Sequence, residues 1–348
     1  MKYLSTCISG LQEPAGLILK QNIPDVNISN IKDGLILYET EVKPVKISNL
    51  TFLNNSYLVF KKFENTKNKN INHLLKSLLK NWNWNNLKKI PQLQVSNNSF
   101  RLVASRENEL ISLDNKLKKQ LERKISSITK LKVDRGNPDF EFWILKRRDN
   151  TCFFMLRITY PTKKEKQIHK GELRPELAHI MCFLSEPEIG DILLDPFAGY
   201  GAIPLAGALS FPFEKIYAVD KDKQKIKKLQ QKLKKQKKSV SSKIYPQIGN
   251  AHKLNNLDSN SIDKIVTDPP WGLYENLPMN ISKFYFLMLI QFLKKLKENG
   301  IIILLTARKK EFDLIVSRFK KKLQLMDRYD ILVSGKKASI YKLKRKKV

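Results

Sequence analysis

The sequence predicts an α/β chain in which a doubly wound, seven-stranded sheet fills the C-terminal half and an α+β region precedes it. Two patterns predict this. From Ile189 onward strand, glycine turn and helix alternate, the signature of strands joined by helical crossovers. Before that point, residues 1 to 165 mix short β-rich runs with amphipathic helices and end in two aromatic strands.

Taken in order, the N-terminal stretch places one helix after Gly10 and a strand at Ser56-Tyr57-Leu58-Val59-Phe60, and the polar run Asn65 to Asn70 marks a boundary near residue 68. Leu74, Leu75, Leu78, Leu79 and Trp82 give an amphipathic helix pattern, and a strand follows at Phe100 to Ala104. Leu113, Leu117, Leu121, Ile125 and Ile128 recur every three or four residues between lysines and glutamates, which makes a second surface helix. After Asn137-Pro138, strands are expected at Phe140 to Leu145 and Cys152 to Leu156, joined by a turn at Arg147 to Asn150. The candidate strands of the C-terminal half are Ile192 to Leu194, Ile216 to Val219, Tyr245 to Ile248, Lys264 to Thr267, Ile301 to Leu305, Ile331 to Val333 and Ser339 to Leu343. A helix is expected between Asp222 and Lys238, with Ile226, Leu229 and Leu233 inward and solvated lysines around the rest. The last two strands, joined by Gly335-Lys336-Lys337, resemble an antiparallel hairpin at the sheet edge.

A chain of 348 residues has room for two or three domains. No apolar run approaches the length that crosses a bilayer, and Met1 to Thr6 is followed by Gln12, Glu13 and Pro14 rather than by the apolar stretch of a secretion signal. A soluble, cytoplasmic protein with no membrane partner is expected. Cys7, Cys152 and Cys182 lack paired spacing and His73, His169, His179 and His252 are scattered, so buried thiols and no metal are expected. The net charge of +32 suits a polyanionic partner held through its phosphates. The same surplus arises when AT-biased codon supply loads lysine onto solvated faces. Charge therefore favours nucleic acid only beside a motif that needs one.

Two motifs carry chemistry. Ile192-Leu193-Leu194-Asp195-Pro196-Phe197-Ala198-Gly199-Tyr200-Gly201 runs a buried strand into glycines and then a helix, the turn at which a nucleoside cofactor can approach the backbone. It lacks the third glycine of the pyrophosphate fingerprint and has an acid at the strand end, which suits a cofactor without a diphosphate. About twenty residues on, Asp220 closes the next strand, where a carboxylate accepts from ribose hydroxyls.

The second motif, Thr267-Asp268-Pro269-Pro270-Trp271-Gly272, sets an acid, two prolines and an indole at the end of a fourth strand. By itself Asp-Pro-Pro is a stiff turn. Behind the first motif and Asp220 it suits methyl transfer to an aromatic amine, whose lone pair is delocalised into the ring. Hydrogen bonds from that amine to Asp268 and to the Pro269 carbonyl would localise and aim the lone pair. Trp271 would stack the extruded base. Pro269 and Pro270 fix φ and remove backbone donors, so a carbonyl can project into the site.

From about Lys170 to the C-terminus the chain resembles amino-methyltransferases of Rossmann-like fold. His169-Lys170-Gly171-Glu172-Leu173-Arg174-Pro175-Glu176-Leu177-Ala178 is similar to the segment before the glycine motif in THUMP-containing RNA guanine-N2 methyltransferases, where it helps enclose the methionine end of the cofactor. Ser99 to Arg106, the helix after it and Val133 to Asp139 resemble a THUMP domain, an RNA-binding module that grips the acceptor end of tRNA. Ser9-Gly10-Leu11-Gln12-Glu13 resembles the start of the small ferredoxin-like domain before THUMP. The resemblance implies three parts: a ferredoxin-like domain over 1–68, a THUMP-like domain over 69–165 and an S-adenosylmethionine-dependent methyltransferase domain over 166–348. It implies an enzyme acting on tRNA and a cofactor site of Asp195, Pro196, Phe197, Gly199, Gly201, Asp220, Asn250 and Ala251; a monomer, with room for an accessory protein, is expected. The chain departs from the pattern in three places. Tyr200 stands where a small residue is usual, Asn250 where an acid often accepts from the adenine amine, and Trp271 where many relatives have Tyr or Phe.

The implied reaction is methylation of the 2-amine of a guanosine. Methylation of an adenine amine in ribosomal RNA or DNA uses the same tetrapeptide and stays open, as does a catalytically silent RNA-binding protein of the same fold. A nicotinamide oxidoreductase leaves the prolines and Trp271 without a role.

Overall fold

The computed structural model describes the chain apart from residues 33, 65, 68, 90–97, 108, 160–170, 273–278, 334 and 348. His169 and Lys170 of the segment before the glycine motif, the expected boundary at 165/166 and part of the polar run 65–70 lie outside the described residues. The chain forms two compact units: Met1–Thr6 with Leu19–Thr162, and Cys7–Ile18 with Lys163–Val348. Helix α1 (Gln12–Asn22) belongs partly to each.

The first unit carries strands β1 (Lys2–Thr6), β2 (Asn27–Lys32), β3 (Leu35–Glu39), β4 (Asn55–Phe63), β5 (Ser99–Arg106), β6 (Glu109–Leu110), β7 (Lys132–Val133), β8 (Phe140–Lys146) and β9 (Cys152–Arg157). Its helices are α2 (Pro44–Ser48), α3 (Ile71–Asn81) and α4 (Asn115–Thr129). The strands form one nine-stranded sheet in the order β2-β3-β1-β4-β9-β8-β5-β6, with β7 beside β5. The sheet crosses the expected boundary near residue 68 without a break, because β4 pairs antiparallel with β9 through Tyr57 with Arg157 and Leu58 with Leu156.

Burial explains that central pairing. Cys152, Phe153, Phe154, Met155 and Leu156 of β9 are all buried, so both faces of the strand are covered. One face packs Leu4, Leu37, Tyr57, Val59, Leu145, Phe153 and Met155 together. Aromatic rings fill another cluster, with Phe154 5.8 Å from Phe60, 6.0 Å from Phe142 and 5.4 Å from Trp82. The two long helices start on side-chain caps: Asn70 accepts from the His73 N–H, and Asp114 from the Leu117 N–H.

The second unit holds α5 (Pro175–Leu184), β10 (Ile192–Asp195), α6 (Ala202–Ser210), β11 (Lys215–Asp220), α7 (Lys223–Leu233), α8 (Lys238–Ser241), β12 (Ile244–Ile248), β13 (Ile262–Thr267), α9 (Ile281–Lys295), β14 (Leu296–Thr306), α10 (Lys309–Arg318), β15 (Leu323–Val333) and β16 (Lys336–Arg345). The sheet order is β12-β11-β10-β13-β14-β16-β15. Strands β10 to β14 pair in parallel, and β16 enters antiparallel between β14 and β15. The expected hairpin is present, with β15 rather than the last strand at the edge.

Among the boundaries that differ from the sequence expectation, two show why. The helix expected from Asp222 to Lys238 ends at Leu233, its last buried residue. Beyond it Lys234, Lys235, Gln236 and Lys237 have no apolar side chain to bury, and the chain turns through Lys235 N–H to Lys232 O and Gln236 N–H to Leu233 O. Strand β15 starts eight residues before Ile331, at Leu323. Gln324 to Arg328 are exposed, the apolar Leu325 and Met326 included, so pairing with β16 is what makes them a strand. Among the described residues no helix is long and apolar enough to cross a membrane, and no group of three or more His, Cys, Asp or Glu could hold a metal.

Candidate functional site

The sheet order reverses between β10 and β13, and the crevice outside the carboxyl ends of strands at such a switch is where open α/β sheets bind ligands. Three acids stand there. Asp195 is the last residue of β10, Asp220 the last of β11, and Asp268 follows the last residue of β13. The parallel register, with Asp195 beside Ala218 and Leu194 beside Ile265, brings residues distant in sequence to one edge.

Asp195 is 1% exposed, and burial pushes its carboxyl up to about 8, with the negative charges of Asp220 and Asp268 adding to the rise. Its Oδ1 accepts from the Thr267 hydroxyl at 2.9 Å and from the Phe197 N–H at 3.1 Å. This side chain ties the end of β13 to the turn after β10. Asp220 is also buried, and its two oxygens each accept a backbone N–H, from Gly199 at 2.8 Å and from Asp222 at 2.9 Å. The glycine turn is held from behind by that carboxylate and by the Ala198 N–H on Val219 O.

Gly201 takes a left-handed φ of +87° at the N-cap of α6, and a Cβ there would meet Leu229 Cδ1 at 2.3 Å. The positive φ favours glycine, and the Leu229 methyl would have to move aside for any side chain. Gly199, with φ of +53°, is uncrowded: the nearest atom to a Cβ is Phe197 O, at an ordinary contact distance of 3.9 Å. Pro196 follows Asp195 in the turn, and the Phe197 ring lies 5.8 Å from Phe284 of α9.

Asn250 is exposed and its Oδ1 accepts from the His252 N–H at 2.9 Å, so the side chain also braces its own loop. Ala251 is buried. The His252 ring packs edge-on against Phe284 at 4.6 Å with Nε2 3.2 Å from the Phe284 carbonyl, and burial lowers its pKa.

In the second motif the Trp271 indole N–H donates to Asp268 Oδ1 at 3.0 Å. Pro269 is buried and Pro270 partly so. The Tyr200 ring lies against α7, with the ammonium groups of Lys225, Lys228 and Lys232 at 5.9, 5.3 and 5.6 Å from its centre. Lys232 also donates to the Tyr200 carbonyl and pairs with Glu172.

Sequence reasoning passed over two contributors. Thr267 stood inside the strand motif, where a hydroxyl at the last buried position beside an acid was the available signal. Arg308 had none, because its partners, the Trp271 and Gly272 carbonyls, precede it by 37 and 36 residues.

Residues 163–329 match the family described as an RMKL-like methyltransferase domain. The Mus musculus tRNA (guanine(6)-N(2))-methyltransferase THUMP3 is 33% identical over 122 residues, covering 34% of this chain and 23% of that protein. The tRNA (guanine(10)-N2)-dimethyltransferase of Methanocaldococcus jannaschii is 28% identical over 220 residues, covering 56% of this chain and 58% of that protein. The chain thus spans less than two thirds of either curated relative. The crystal structure of TrmN from Thermus thermophilus shares the fold, with a TM-score of 0.79 at 20% identity over 99% of this chain and 100% of that one. Residues 163–329, just under half of the chain, thus resemble a methyltransferase domain of the RMKL-like family, and the seven-stranded sheet with its acid-ended strands agrees with that match.

Proposed function

We propose that the chain is an S-adenosylmethionine-dependent enzyme that methylates the exocyclic 2-amine of a guanosine in tRNA. The observation that carries the proposal is the Asp268 carboxylate at the sheet's switch point with the Trp271 ring hydrogen-bonded to it. The named activities of the mouse and archaeal relatives favour guanosine and tRNA over adenine.

The residues fit the cofactor. Each Asp220 oxygen accepts one backbone N–H, and a carboxylate oxygen has a further lone pair for a ribose hydroxyl. Gly199 leaves its side of the turn open to a close-lying ligand. Asp220 binds the ribose; Asp195, Pro196, Phe197, Gly199 and Gly201 form the wall beside it; Asn250 and Ala251 flank the adenine edge. The cofactor supplies an electrophilic methyl on a sulfonium sulfur.

On the protein's side, Asp268 and the Pro269 carbonyl accept from the target amine and direct its lone pair, while Trp271 stacks on the base. Once the methyl has passed to the amine, leaving a neutral thioether, Asp268 would take the proton released from the alkylated nitrogen. Pro270 has no N–H to compete for those acceptors. The regions 1–68 and 69–165, ferredoxin-like and THUMP-like, supply the grip on RNA, in keeping with the basic charge of the chain. The enzyme acts in the cytoplasm.

The test is incubation with unmodified tRNA and methyl-labelled S-adenosylmethionine, followed by nucleoside mapping. Label in N2-methylated guanosine is expected, with loss in Asp268→Ala. Label in adenosine, or full activity in Asp268→Ala, overturns the reading.

A further inference from the structure

Arg308 lies just beyond the carboxyl end of β14, the strand that pairs in parallel with β13 through Thr267 and Leu304. It is the N-cap residue of α10, and its own N–H donates to the Thr306 hydroxyl at 2.9 Å. That hydroxyl is in turn 2.8 Å from the buried Tyr285 hydroxyl of α9, so the backbone from which Arg308 projects is fixed. The guanidinium then reaches across to the second motif. Nε donates to the Trp271 carbonyl at 2.9 Å and Nη2 to the Gly272 carbonyl at 3.1 Å, while Nη1 lies 3.6 Å from Glu311 Oε1.

Two consecutive carbonyls are held by one planar fork, whose fixed donor spacing a rotating ammonium lacks. It matters here because Pro269 and Pro270 have no N–H with which to anchor this stretch. The next residue after them is the one whose ring carries the base in the function proposed above. Trp271 is therefore fixed at two ends, its carbonyl by Arg308 and its indole N–H by Asp268.

Resting on that function, we infer that Arg308 is a positioning residue for methyl transfer: it sets where the Trp271 ring, and hence the target base, sits relative to Asp268. In this assignment it acts through the backbone carbonyls it holds. Neither motif contains it.

The experiment compares wild type, Arg308→Gln and Arg308→Lys, each with and without Trp271→Phe, so that the emission of Trp271 is obtained by difference from Trp82, Trp84 and Trp143. Acrylamide quenching of that emission, kcat and KM for tRNA methylation, the dissociation constant for S-adenosylmethionine and the urea midpoint are measured on each. Arg308→Gln is expected to expose Trp271 to quencher and to lower kcat about 100-fold, the scale of an ångström's misplacement at a reacting centre. The lysine variant is expected to fall between, and cofactor affinity to stay within about twofold, because the glycine turn and Asp220 are untouched. Unchanged quenching, unchanged kcat, or a kcat loss matched by losses of cofactor affinity and urea midpoint overturns the positioning role. An active-site failure of the wild type, with no methyl reaching guanosine, overturns the proposed function instead. The quenching comparison separates the two failures, since it needs no turnover.

Discussion

The Trp271 indole N–H donates to Asp268 Oδ1 at 3.0 Å, so the ring assigned to stacking is held by the carboxylate assigned to the amine. Trp271→Phe keeps the π-face and loses this bond; Trp271→Ala loses both. With base stacking worth ~1–3 kcal/mol, the alanine variant is expected to lose about 10- to 100-fold in kcat/KM for tRNA and the phenylalanine variant less than about tenfold. Steady-state labelled-methyl incorporation checks this, and equal losses in the two variants would count against a stacking role.

Asp195 makes stability depend on pH. Its folded-state pKa, raised to about 8 by burial, exceeds the ordinary value of 3.8, so between those limits the folded chain binds more protons than the unfolded one. The contribution is fully present below about pH 4 and is lost as pH rises through about 8. Asp195→Asn keeps an oxygen for Thr267 and the Phe197 N–H but cannot ionise. Urea midpoints of the cofactor-free protein at about pH 5 and about pH 9 are expected to show the variant gaining on wild type at the higher pH.

Gly201→Ala combines a positive φ with a Cβ placed 2.3 Å from Leu229 Cδ1. A cost of ~1–3 kcal/mol in urea unfolding is expected from the backbone strain alone. Pairing it with Leu229→Ala relieves the clash and leaves the strain, so the double variant should fall short of additivity. Full additivity would mean that the two side chains do not meet.

The charge of +32 is expected to act through phosphate contacts. Affinity for unmodified tRNA should then fall steeply with salt, by roughly 1,000-fold between about 50 and 200 mM for about six contacts. Filter binding across a salt series measures the slope. A flat response would assign the lysines to solvation instead.

A further consequence of the glycine turn concerns Asp220. Because its oxygens accept from the Gly199 and Asp222 N–H groups, Asp220→Ala removes a brace as well as a ribose acceptor. Asp220→Asn retains part of the brace and is expected to weaken S-adenosylmethionine binding by about tenfold, with a smaller change in urea midpoint than alanine gives. Isothermal titration and urea unfolding separate the two roles.

Much of this molecule is written locally. The strand, glycine turn and helix at Ile192 to Leu209, the buried stripe of Ile226, Leu229 and Leu233, and the acid at each strand end are short-range patterns, set by backbone sterics and by which side chains must leave water. They were legible because each needs only a few neighbouring residues. The early start of β15 was not, since Gln324 to Arg328 are exposed and only pairing with β16 makes them a strand.

By itself, then, the sequence determined the sheet-and-helix alternation and the residues Asp195, Gly199, Gly201, Asp220 and Asp268 to Trp271 as the chemical candidates. The tertiary structure decided what those side chains do to one another. It placed Asp195 on Thr267, Asp220 behind the Gly199 amide, Trp271 on Asp268 and Arg308 on the Trp271 carbonyl. It also joined β4 to β9, so that one sheet runs through the whole first unit. For all but the Trp271 bond to Asp268, which spans three residues, the reason is range: hydrogen bonds between groups 21 to 72 residues apart in the chain have no local signal, and exist only once strand order has brought their ends to the same edge.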